Sequence, residues 1–233
     1  MTIFDKNSPL VVVGTPHADR KNYCLETLVN SVNAFTYPKF DFYIADNSNT
    51  RDNCKLYNKW HIRYTYINPQ GKTAIQYICQ SHEAIRQYAM HVNAEWLLHL
   101  EDDIIPPPNV IQQLILRRKS VIGGIYQIDF GASRHLMVQL VTHRSGLNVN
   151  VENLKSPEDA HFIDGHIKRV YSIGLGCLLI HRNVFSKIRF RYEKDKYMHP
   201  DSFFAFDCYT KNINIWADTS LILPHYNTPW TTF

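Results

Sequence analysis

What the chain lacks narrows it first. No apolar run approaches the roughly 18 residues a membrane-spanning helix needs, so an integral membrane protein is not expected. Glycine and proline are sparse, 9 and 11 among 233 residues, and no internal repeat or low-complexity segment is visible, which excludes collagen-like and disordered chains. The five cysteines (Cys24, Cys54, Cys79, Cys177, Cys208) are scattered and include no C-x-x-C pair. An odd, unpaired set is neither a disulfide framework nor a zinc site, and reads as reduced, buried thiols of a cytoplasmic protein. The opening residues, Met1 to Pro9, show no basic segment followed by an apolar one, so no secretory signal is expected.

Several catalytic motifs are missing as well. Gly71-Lys72-Thr73 looks like the end of a phosphate-binding loop, but Tyr66 stands where the first glycine belongs. Gly174-Leu175-Gly176 begins like a dinucleotide fingerprint and fails at Leu179. There is no G-x-S-x-G elbow and no H-E-x-x-H, so neither a hydrolase triad nor a zincin is signalled. The twelve histidines show no ligand spacing and read mostly as surface or core residues.

What remains is ordinary globular composition, 45% hydrophobic and 20% charged, arranged as alternating strands and helices. Strands are expected at 10–13, 40–45, 62–67 and 96–100, and helices at 20–33, 53–60, 73–92 and 110–118. That alternation predicts an α/β fold with a mainly parallel sheet flanked by helices. The second half is expected to carry strands at 121–127, 136–142, 170–181 and 213–223. Helices fall at 183–188 and 202–212, with a looser polar stretch at 143–166. No linker separates two domains; 1–233 reads as one domain, with 121–233 as its acceptor-side half.

Charge is concentrated in two places. Between Arg182 and Lys196 six basic residues face only Glu193 and Asp195, so this segment alone matches the +4 of the whole chain. It reads either as a solvated face or as a patch for an anionic acceptor, nucleic acid included. Glu101-Asp102-Asp103 directly follows the apolar strand Trp96–Leu100. Three adjacent carboxylates repel one another unless something positive sits there. At the carboxyl end of a central strand, a divalent cation bridging to phosphates is the natural partner; a helix-capping acidic turn is the plain alternative. Asp46-Asn47-Ser48 ends a neighbouring strand, where Asp46 either accepts hydrogen bonds from a base or ribose or closes an Asx-turn.

Taken in order, these segments resemble the GT-A glycosyltransferases, the family 2 group in particular. Val11-Val12-Val13-Gly14-Thr15-Pro16 is similar to the opening strand and nucleotide loop, Phe42 to Ser48 to the base-binding turn, and Leu97 to Asp103 to the D-x-D metal motif, with Glu101 at its first position. Val121 to Tyr126 and Ser172 to Phe185 resemble the acceptor-side strands. Asp201, Asn212, Asp218 and His225 resemble the closing Asp, Gly, Asp and His.

The resemblance implies a Rossmann-like GT-A sheet and an inverting transfer from a nucleotide sugar, a UDP-sugar, to an acceptor hydroxyl. It implies Mn²⁺ or Mg²⁺ held by Asp103, Glu101 and His225, with Glu101 or Asp102 directed at ribose or at a water on the ion. Thr15, Pro16, Asp46 and Lys72 would bind the nucleotide. Asp201 would be the catalytic base, with Asp207 as the other candidate, and Arg189, Arg191, Lys194 and Lys196 would hold an acceptor, nucleic acid or glycan. Two other readings stand beside this one: a nucleotidyltransferase on a related fold, and a non-catalytic sugar-nucleotide-binding module.

Overall fold

Three successive valines leave no position for solvent in the first strand, and β1 (Val11–His17) accordingly runs inside the sheet. A computed structural model describes residues 4–129, 133–146, 148–194 and 198–226. Its first half follows the expected alternation: β1, α1 (Asn22–Asn33), β2 (Phe40–Asp46), α2 (Asp52–Lys59), β3 (Arg63–Tyr66), α3 (Ala74–His91), β4 (Trp96–Leu100) and α4 (Val110–Leu116). The second half contains β5 (Val121–Ile125), β6 (Gln127–Asp129), β7 (Arg134–Ser145), β8 (Asn148–Ser156), β9 (Ile167–Val170), β10 (Ser172–Ile173), β11 (Cys177–His181), α5 (Arg182–Phe185), α6 (Pro200–Thr210) and β12 (Ile215–Ile222).

Eight strands form the main sheet in the order β3-β2-β1-β4-β11-β5-β12-β9. All run the same way except β11 and β9, which are antiparallel to their neighbours. Both faces are covered. Val12, Leu97 and Ile180 pack with α3 and α6 on one side, while Val11, Val13 and Leu98 pack with α1 and α4 on the other. The helix α3 lies so close to β1 that a Cβ at Gly14 would sit 2.1 Å from Ile85 Cγ2.

Two local expectations change, and a third is borne out in detail. The stretch 143–166 is not loose throughout, because β8 pairs along β7 as a hairpin in a second, smaller sheet. Its sequence alternates at Val149 and Val151, but Asn153 holds the next position and Leu154 falls out of phase, so no sustained two-residue period marks the strand. The expected strand at 170–181 is three strands, broken at Gly174-Leu175-Gly176. Gly71-Lys72-Thr73 proves to be a helix start: Thr73 Oγ1 accepts from Gln76 N–H while Gln76 Oε1 accepts from Thr73 N–H, a capping box.

All five cysteines are buried and unpaired. Among the described residues no helix is long and apolar enough to cross a membrane.

Candidate functional site

The carboxyl ends of β1 and β4 open onto a cavity of about 530 Å³, whose other walls come from β7, the loop before β11 and the start of α6. Open α/β sheets bind ligands at this edge, beyond the strand ends. Leu100 ends β4 in the core, and the next three residues turn outward: Ile104 N–H closes the turn on Glu101 C=O at 3.2 Å. The segment after β12 is laid along this turn. Ile104 bridges to His225, Ile105 N–H donates to Pro224 C=O at 3.2 Å, and Tyr226 N–H donates to Asp103 C=O at 2.8 Å. Backbone pairing therefore delivers His225 to the acidic triplet from the far end of the chain.

The side chains meet there. His225 Nδ1 donates to Gln127 C=O at 2.6 Å, which places Nε2 3.1 Å from Asp103 Oδ2. The carbonyl only accepts, so the proton on Nδ1 is fixed, and Nε2 is left either to share a proton with Asp103 or to offer a lone pair. Lys21 Nζ contacts the same Asp103 oxygen, and His17 Nδ1 lies 2.9 Å from Asp102 Oδ2 with Nε2 3.0 Å from Asn22 Oδ1. Both ring nitrogens of His17 face oxygens.

Burial and charge pull these groups in different directions. Burial raises Glu101 most, helped by the charge of Asp103, to about 8. Asp102 is also pushed up by burial, which outweighs its His17 partner. Burial would raise Asp103 too, but His225 and Lys21 more than offset it and hold this carboxyl below the usual range. Burial disfavours the charged forms of His17 and His225, yet Asp102 and Asp103 respectively keep both above the ordinary histidine value. The triplet is thus a mixed set, with Asp103 the firmly ionised member.

Asp201 stands on the first turn of α6, behind Pro200 at its start, with Oδ1 accepting from Ser202 N–H at 2.7 Å. It lines the cavity, and its charge contributes to the elevation of Glu101. Tyr126 is fully enclosed between His225, at 5.3 Å between rings, and the Gly174–Gly176 loop, whose Gly176 N–H donates to the tyrosine oxygen at 3.1 Å. A Cβ at Gly174 would lie 2.1 Å from that oxygen and one at Gly176 2.5 Å from Cζ, which is why glycines stand there.

Pro16, Glu101, Asp102, Asp103, Asp201 and His225 share the cavity, but other expected residues do not reach it. Thr15 and Asp46 are completely buried below it, and Asp46 Oδ1 is occupied by Ser48 N–H at 2.7 Å, the Asx-turn alternative. Lys72 lies outside, donating to Asn68 C=O at 2.7 Å. Asp207 is held by both Arg191 Nε and Nη2 at 2.9 Å and is not among the residues lining the cavity. Within the basic segment two arginines are paired: Arg191 also contacts Glu193, and Arg189 Nε reaches Glu83, which Arg86 holds as well, at 3.1 Å. Lys194 is exposed, and Lys196 lies outside the described residues.

Lys21, His17 and Tyr126 escaped the sequence reading. His17 is the last residue of β1 and Lys21 lies four residues beyond it, so basic residues at the end of the first strand were the available signal.

The same arrangement of sheet and helices occurs in known enzymes. GalNAc-T7, solved with UDP, GalNAc and Mn²⁺, superimposes with a TM-score of 0.62 over 97% of this chain at 12% identity. The chain has the GT-A glycosyltransferase fold. S. aureus TarS gives 0.54 over 90% of the chain at 12% identity, and the present GT-A chain spans 45% of the GalNAc-T7 chain and 35% of the TarS chain. The CMP:2-keto-3-deoxy-manno-octonic acid synthetase, solved with CTP, gives 0.50 at 11% identity, covering 90% of this chain and 89% of its own. No protein-family model matches the sequence, and neither does any curated protein.

Proposed function

We propose that this GT-A chain is a metal-assisted glycosyltransferase that moves a sugar from a nucleotide sugar, UDP-linked, to an acceptor hydroxyl with inversion. The observation that carries the reading is the convergence of Asp103 and His225 on one point, with Asp201 on the same cavity. Asp103 and His225 together supply one oxygen and one nitrogen donor; among the described residues no cluster of three such ligands is assembled, so Mn²⁺ or Mg²⁺ would complete its coordination with phosphate oxygens and water. When bound, the ion supplies Lewis-acid neutralisation of the leaving diphosphate.

The chain's own residues account for the rest. Gln127 C=O keeps the His225 ring in one orientation. Asp201 accepts the proton of the acceptor hydroxyl on its carboxylate as the new C–O bond forms, which requires it to be ionised and within hydrogen-bond reach of that hydroxyl. Pro16 and the segment after β1 line the nucleotide side. The pairing of Arg189 and Arg191 with carboxylates removes two of the four basic residues offered for a polyanionic acceptor, and the acceptor stays a hydroxyl, of a glycan or of a nucleic acid.

The likeness to the synthetase favours nucleotidyl transfer as the second reading, and the products separate the two. Incubation with a panel of nucleotide sugars and Mn²⁺ should release nucleoside diphosphate. Release of pyrophosphate from a nucleoside triphosphate, with no turnover of any nucleotide sugar, would support the second reading instead.

A further inference from the structure

The carboxylates that would take the divalent ion already have a cation of their own. Lys21 Nζ and His225 Nε2 converge on the same atom, Asp103 Oδ2. The lysine closes the short 3-10 turn Asp19–Lys21 after β1, so its backbone is anchored while its side chain lies along the cavity wall. Its side chain is 19% exposed against 4% for Asp103, which gives the lysine, but not the aspartate, a way out. Beyond Asp103 its ammonium contacts the Tyr23 oxygen at 3.4 Å and lies close enough to feel the Asp102 charge. An ammonium is a compact charge on a flexible stem and keeps its proton wherever it swings.

An incoming ion and this ammonium compete for one oxygen. With the cavity empty of other anions, expelling Lys21 separates a buried ion pair and leaves the ammonium with Tyr23 and water, which opposes entry of the ion. A diphosphate changes that balance, because its oxygens are stronger acceptors for an ammonium than a phenol is. We propose that Lys21 is the resident counter-cation of the acidic triplet, yielding Asp103 when a nucleotide diphosphate accepts its ammonium, so that metal and donor enter together. The inference rests on the metal-assisted reading above. By linkage, the nucleotide should raise metal affinity by the same factor as the metal raises nucleotide affinity.

The test is Mn²⁺ binding to the purified chain, followed by the loss of the free-ion EPR signal, alone and with UDP, GDP or CDP. Without nucleotide, Lys21→Met and Lys21→Gln should each bind Mn²⁺ about tenfold tighter than the parent, while Lys21→Arg stays within about threefold of it. At least one nucleotide should then tighten Mn²⁺ binding by the parent about tenfold and by Lys21→Met distinctly less. Equal, measurable Mn²⁺ affinity in the parent and the Met and Gln variants would overturn the lysine's role and leave the metal-assisted reading standing. So would a parent whose Mn²⁺ affinity no nucleotide changes, since the lysine would then be a fixed occupant. No Mn²⁺ uptake by any folded variant, under any condition, would overturn both.

Discussion

Asp201 and Asp207 share α6, yet one faces the cavity and the other is bound by Arg191. The sequence puts Asp201 first through the family resemblance and keeps Asp207 as the other candidate, because nothing in it pairs Arg191 with Asp207. The same holds for Lys21 and His17, whose partners in the acidic triplet are long-range and follow no local period. Asp201→Asn keeps shape and hydrogen bonding but cannot take a proton. Transfer should therefore fall by about 10²-fold or more with donor affinity nearly unchanged, whereas Asp207→Asn should chiefly weaken the Arg191 contact and stability. The opposite ranking in steady-state kinetics would exchange their roles.

A pH dependence belongs at this scale too. Glu101 and Asp102 have raised values in the folded chain, so ionising them opposes folding as pH rises from the ordinary carboxylate value, in Glu101 up to about 8. His17 and His225 are raised as well, so the stability they contribute is full below the ordinary histidine value and is lost as pH climbs through their folded values. All four act in one direction. The buried His82 and His99, held well below the ordinary histidine value by burial, act the other way up to about pH 7, so in EDTA Tm should fall between about pH 7 and 8, and Glu101→Gln should flatten the fall. A Tm that rises over that window would contradict the charge assignments.

Elements were legible where their pattern is local. The run Val11–Val13, the helical spacing of α3 and the triplet after β4 all follow from neighbours in sequence. The hairpin β7–β8 was half hidden because β8 sustains no two-residue period, and the break between β10 and β11 was hidden because its cause, Tyr126, lies on another strand's end. That tyrosine sets a constraint. Gly176→Ala would place a methyl group 2.5 Å from Tyr126 Cζ and move the ring that supports His225. It should lower stability by about 1–3 kcal/mol in denaturant unfolding, with a loss of turnover beyond that expected from the unfolded fraction. An unchanged Cm and rate would show that the loop yields without disturbing the tyrosine.

For the molecule as a whole, the parallel arrangement of β3, β2, β1 and β4 was readable from strand–helix alternation, but the insertion of β11 between β4 and β5 was not. Antiparallel pairing of Cys177–His181 with Trp96–Leu100 joins segments far apart in the chain, and no residue in either announces the other. That insertion brings the Gly174–Gly176 loop against Glu101, whose N–H donates to Gly176 C=O at 3.0 Å, so the second half helps shape the acidic side of the cavity. Of the basic segment, prominent in sequence, Arg189 and Arg191 are paired with Glu83, Glu193 and Asp207, long-range and local partners that the charge run does not announce. The most direct measurement is therefore release of nucleoside diphosphate from the best nucleotide sugar with Mn²⁺, for the parent and for Asp103→Ala. The account predicts turnover by the parent that stops in EDTA, and none by the variant; full turnover in EDTA or by Asp103→Ala would contradict it.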